Sequence, residues 1–304
     1  ESLRFNTTGS SNVVVGKDAA QCNTTANNNV AIGLKAGTLN KTGTGNVSVG
    51  ACAAYNSICG NNTAIGSQAL LTNTTGTYNV SIGTNSHLYA TTANNNTTVG
   101  FNSSKKITTG GANTVIGSQA FEENTTGINN TASGYKALTS NTTGVCNTAV
   151  GHTAGALTTT GGYNVFMGSR AGYSNTTGAA NTAIGKDSMY YLTTGSHNTA
   201  VGNGSLVLTS TGQYNTGSGS YAVYSNSSGC RNAGFGAHAL YENTTGNYNV
   251  ALGSQSLRYN TTGAGNTASG TYALNKNTTG AENVAAGYAA LHCNTTGCHN
   301  TAVG

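Results

Sequence analysis

The chain has 304 residues, 44 of them glycine and none of them proline or tryptophan. Its 12 basic and 7 acidic residues make up only 6% of it, against roughly 25% in an ordinary globular domain, and Asp18 and Asp187 are its only aspartates. Asp-rich calcium loops are thereby excluded, little carboxylate is left for two-metal or Asp-triad chemistry, and the Pro-rich, highly charged composition of a disordered chain is absent.

What remains is a repeat. Glycine recurs at residues 16, 33, 50, 66, 83, 100, 117, 134, 151, 168, 185, 202, 219, 236, 253, 270, 287 and 304, in steps of 17 with one step of 16 between Gly50 and Gly66. Four residues before each glycine stands an asparagine: Asn12, Asn29, Asn46, Asn62, Asn79, Asn96, Asn113, Asn130, Asn147, Asn164, Asn181, Asn198, Asn215, Asn232, Asn249, Asn266, Asn283 and Asn300. Counted from that asparagine as column 1, the unit reads N-[TV]-A-[IV]-G-x-x-A-L-x-x-N-T-T-G-x-x. The period is too short for helical hairpin repeats, which need more than about 30 residues. It fits one turn of a β-solenoid. The expected fold is therefore all-β: a single parallel β-solenoid, or β-roll, domain over 1–304, with 18 coils of 17 residues, one of them shortened to 16 residues over 50–66.

Within a coil the elements follow in order. Columns 2 to 4 are small or β-branched and predict a short strand. The column-5 glycine suits a corner that needs positive φ or close backbone approach. Columns 6 to 11 read as a second extended stretch, and N-T-T-G in columns 12 to 15 as the next turn. Stacking in register explains column 1, because each amide lies about 4.8 Å from its copy and can form a hydrogen-bonded ladder. Aspartate there would stack like charges. Eighteen coils at about 4.8 Å predict a rod of roughly 85 Å. Column 8 is always Ala or Ser and should face a thin interior. If side chains alternate, column 9 (Leu3, Leu70, Phe121, Leu138, Met189, Leu206, Leu240, Leu257, Leu274, Leu291) faces outward, beside an apolar column 4 interrupted by Ser133, Ser218 and Ser269. A continuous apolar stripe on a solenoid needs a partner surface, most simply in a parallel homotrimer. A corner between columns 8 and 9 would instead put leucine inside and permit a monomer.

Along the chain, Asn6, Asn23, Asn40, Asn73, Asn124, Asn141, Asn175, Asn226, Asn243, Asn260, Asn277 and Asn294 form N-x-[ST] sequons at column 12. They predict a row of glycans or serve as turn chemistry alone. Cys52 and Cys59 bracket the short coil, and Cys293 and Cys298 flank a turn. Each pair is a candidate disulfide, while Cys22, Cys146 and Cys230 read as free thiols. His292-Cys293 and Cys298-His299 suggest zinc by spacing, but neighbours on a strand point to opposite faces, so no metal is expected. Glu122 and Glu123 suit solvent rather than acid–base chemistry. Tyr190, Tyr191, Tyr241 and Tyr259 sit in columns 10 and 11, where they could stack on sugars or pack between coils. No nucleophile elbow, phosphate loop or zincin motif occurs, so no enzyme activity and no cofactor are expected. Lys105-Lys106 is the only basic doublet, which speaks against nucleic acid. No apolar run is long enough to span a bilayer.

The units Asn62 to Gly76 (NTAIGSQALLTNTTG) and Asn130 to Gly144 (NTASGYKALTSNTTG) resemble the head repeats of trimeric autotransporter adhesins. They resemble even more the repeats of tail-fibre-like proteins of phages, large viruses and bacteria. The resemblance covers the whole chain. It implies a left-handed parallel β-roll in a trimeric extracellular fibre on a virion or microbial surface, used for attachment or to space a receptor-binding tip. The implied partners are copies of the chain, side by side or end to end, and a host-surface glycan or receptor. Since Glu1 falls in column 7 and Gly304 in column 5, the chain is expected to be a segment of a longer fibre. A glycosylated self-polymerising filament and an ice-binding solenoid, the latter on the column-14 threonine rank, are the alternatives.

Overall fold

A computed structural model describes residues 1–304. The chain is all-β, a parallel β-solenoid with 18 three-residue strands and no helix. It divides into two compact units, Glu1–Asn147 and Thr148–Gly304. In the first, β1 (Val13–Val15) to β8 (Thr131–Ser133) pair in chain order, each with the next, parallel and in register. In the second, β9 (Thr148–Val150) to β18 (Thr301–Val303) do the same.

Each strand is columns 2 to 4. The middle residue points inward and is small, as Ala64, Ala132 and Ala268 are, because the interior is only one coil thick. Thr98 and Val115 are somewhat larger, and Phe166 is the largest. Its ring lies where a side chain at Gly172 would be, so a large column 3 is matched by an empty column 9 in the same coil. Columns 2 and 4 face out.

Columns 6 to 11 are not a second strand. They are a run of turns, with left-handed backbone at columns 7 and 9 in almost every coil; Lys136 has φ 54° and Leu138 φ 49°. The left-handed residue breaks the alternation, so columns 8 and 9 both face inward. Ala137 and Leu138 are buried, as are Leu70, Phe121, Met189, Leu206, Leu240, Leu257 and Leu274. This corrects the outward column 9 of the alternating scheme. Burying a leucine gives about 2 kcal/mol, and a left-handed L-residue costs roughly 1–2 kcal/mol. The corner is close to neutral on those terms alone. Hydrogen bonds tip it: the amides of columns 9 and 11 still reach the next coil, Ala20 to Ala36 at 2.8 Å and Cys22 to Thr38 at 2.9 Å. Neighbouring coils are thus bonded at this corner without strand geometry.

The short coil loses its residue from the N-T-T-G turn. Ser57 takes the column-12 place, its amide donating to Ala54 at 3.1 Å. The carbonyl of Cys59 takes the column-15 place, accepting from Asn46 Nδ2 at 3.0 Å. The rest of the coil keeps register.

Candidate functional site

The column-1 asparagines form an amide ladder within each unit. From Asn29 to Asn147, each backbone N–H donates to Oδ1 of the preceding column-1 asparagine at 2.8–3.1 Å. From Asn181 to Asn300 the same bond is 3.0 Å throughout. Nδ2 turns the other way, to the column-15 carbonyl of its own coil, as from Asn249 to Gly263 at 2.8 Å. One side chain thus ties two coils and closes a turn.

The sequon asparagines are interior groups. Asn23, Asn40, Asn73, Asn124, Asn141, Asn175, Asn226, Asn243, Asn260 and Asn277 are buried; Asn6 is exposed and Asn294 half-buried. Asn40, Asn73, Asn226, Asn260 and Asn277 donate Nδ2 to the glycine carbonyl three residues on at 2.8–2.9 Å. Asn243, Asn260, Asn277 and Asn294 add a second ladder. A glycan on a buried, bonded Nδ2 would displace these bonds and has no room inside the coil, so these buried asparagines serve as turn chemistry, the second of the two readings. The same column carries Ala90, Ile107 and Leu192, all fully buried, which is a sign in the sequence that it faces inward.

All seven cysteines are free thiols, so neither candidate disulfide is present. Cys52 and Cys59 stand in columns 7 and 15, at different corners of one coil. Cys293 Sγ lies 3.5 Å from His292 Nδ1, while Cys298 Sγ accepts from the Ala281 amide at 3.3 Å. His299 Nδ1 lies 3.0 Å from Glu282 Oε2. No group of three or more His, Cys, Asp or Glu converges anywhere.

A cleft lies on the surface of the second unit; the sequence reading named two of its tyrosines, Tyr190 and Tyr191, as groups that could stack on sugars, but not the cleft itself. Column 10 carries Tyr173, Tyr190, Val207, Tyr224 and Tyr241 in successive coils. Tyr173 and Tyr190 stack at 5.1 Å with planes 6° apart, and Tyr224 and Tyr241 at 5.0 Å with planes 10° apart. Between the pairs stands Val207, with Gly204 in column 7 of the same coil. The result is a cavity of about 260 Å³ walled by Tyr190, Tyr191, Tyr221 and Tyr224, with Arg170, Lys186, Asp187 and Asn203 also lining it. One hydrogen bond, Arg170 Nη2 to Asp187 Oδ2 at 2.8 Å, and an ion-pair contact of Nε with Oδ1 at 2.7 Å hold Asp187 against Arg170, with Lys186 Nζ 3.4 Å from Oδ2. The Arg170 guanidinium also lies over Tyr190 at 5.3 Å, so the charged wall is fixed in place. Burial pushes the Tyr224 phenol up, further from ionisation than an ordinary tyrosine.

No protein-family model and no curated protein matches this chain. Its function has to be read from the molecule itself, and two surface features stand out. One is the cleft. The other is the outward face of the sheet, where column 4 leaves a ridge of apolar side chains in each unit. Val15 (58% exposed) and Ile116 (48%) belong to the first unit, Met167 (42%) and Phe235 (42%) to the second.

Proposed function

We propose that the chain is the shaft of an extracellular attachment fibre of a virus or microbial surface, built as a parallel homotrimer. The column-4 ridge carries this reading. In-register coils repeat every ~4.8 Å, so within each unit Val, Ile, Met, Phe and Leu side chains line up along the sheet with water on them. Contiguous exposed apolar surface of this kind marks an association face. The column-9 leucines take no part, since the core already covers them. The likeness of the repeat to adhesin heads and tail-fibre repeats points the same way.

The test is sedimentation equilibrium of the whole chain beside the triple variant Ile32→Asn, Ile65→Asn and Ile82→Asn. These three side chains are exposed on column 4 of the first unit, so their loss leaves the core intact, and circular dichroism should be unchanged. The expected result is a trimer for the parent chain and dissociation, at least tenfold weaker, for the variant. A folded parent that sediments as a single chain at micromolar concentration overturns the trimer.

A further inference from the structure

We infer that the cleft over Gly204 and Val207 binds one pyranose residue of a glycan. This deepens the attachment reading, on which it rests for its biological sense.

The argument begins with a missing ring. Column 10 stacks one tyrosine per coil on either side of Val207, at 5.1 Å and 5.0 Å. Tyr190 and Tyr224 are two coil steps apart, roughly 10 Å, and both line the same cavity. Valine is too short to fill the step between them. The vacated step is one ring thick, and its volume of about 260 Å³ lies just below the ~300–1,000 Å³ of sites for drug-sized ligands. The floor is kept low by Gly204, where an added Cβ would stand 2.7 Å from the Tyr221 ring.

The walls and rim differ in chemistry. The walls are aromatic. The rim is polar: the Asp187 carboxylate, locked by Arg170, the Lys186 ammonium, the Asn203 amide and the Tyr224 hydroxyl. A pyranose has this same division, with C–H groups on its faces and hydroxyls around its edge. Its faces pack on tyrosine, and its hydroxyls meet an acceptor in Asp187 and donors in Lys186 and Asn203. A purely aromatic ring would satisfy the walls and leave the rim unused.

The decisive variant is Val207→Tyr. It restores the ring that columns 10 of the neighbouring coils already accommodate, so the coil folds and the slot is filled. Saturation-transfer NMR on the whole chain, with the methyl pyranosides of glucose, galactose, mannose and N-acetylglucosamine and with p-cresol as the aromatic probe, should show at least one glycoside binding. Val207→Tyr should weaken that binding more than tenfold and Asp187→Asn should weaken it measurably. Tyr248→Ala, outside the cleft, should leave it unchanged. No glycoside binding, binding of p-cresol alone, or equal binding by Val207→Tyr overturns the inference. Adhesion of the labelled chains to erythrocytes separates the two claims. If the parent and Val207→Tyr adhere equally, attachment stands and the cleft falls. If a glycoside binds the cleft but neither chain adheres, the cleft stands and attachment falls.

Discussion

Asn249 shows how much one side chain does in this fold. Its Oδ1 accepts the Asn266 amide at 3.0 Å and Asn266 Nδ2 at 3.2 Å, while its own Nδ2 reaches Gly263 at 2.8 Å and Asn232 Oδ1 at 3.2 Å. Asn249→Ala strands a buried amide and a buried carbonyl, each costing about 1–3 kcal/mol, so chemical denaturation of the second unit should show a loss of about 3 kcal/mol or more. Asn249→Asp keeps the acceptor but sets a carboxylate against the Gly263 carbonyl. Its cost should grow as the pH rises above the carboxylate range, and a pH-independent cost would contradict the ladder. Gly253 is constrained by backbone. It has φ +133°, and an added Cβ would stand 2.7 Å from the carbonyl of Gly270 in the next coil. Gly253→Ala therefore meets backbone that cannot yield, and a loss of at least about 3 kcal/mol is expected. A loss under about 1 kcal/mol would show that the corner relaxes.

At the scale of the coil, the sequence revealed the period, the strand, the column-5 corner and the stacked asparagines. It did not reveal the corner at column 9. Leucine gives no local signal for left-handed backbone, which it disfavours; the choice is made by burial and by amides that reach the neighbouring coil. The sequon column was legible in part, because Ile107 and Leu192 replace asparagine there, but N-T-T-G also describes an exposed turn. The cleft was legible as a tyrosine missing from a column of tyrosines. One coil also makes the interior pH-sensitive. His87 occupies column 9, fully buried, with Nδ1 3.2 Å from Ser81 Oγ and no partner for Nε2. Burial lowers its pKa from 6.5 to about 3. The unfolded chain therefore takes up a proton below about pH 6.5 that the folded chain refuses, and stability falls as the pH drops. At 1.36 kcal/mol per pH unit, about 2 kcal/mol is lost by about pH 5. His87→Leu restores the column-9 residue of the other coils. Its stability advantage over the parent should widen by about that amount between about pH 7.5 and 5; a constant difference would mean the histidine is already hydrated in the fold.

For the whole molecule, the inward column 9 shifts the case for association onto column 4 alone. Serines at 133, 218 and 269 interrupt the ridge, which leaves apolar segments of several coils within each unit. Those segments are exposed within their own chain. The column-13 hydroxyls offer no comparable surface, because they donate to the next coil's carbonyls, as from Thr244 to Thr261 at 3.0 Å. The most direct test is an electron-microscopy map of the purified chain at a resolution that counts the chains around one axis. The trimeric shaft predicts three solenoids in parallel, their column-4 ridges facing the axis and the Tyr190–Tyr224 cleft open to solvent. A single solenoid with its ridge bare to water would contradict it.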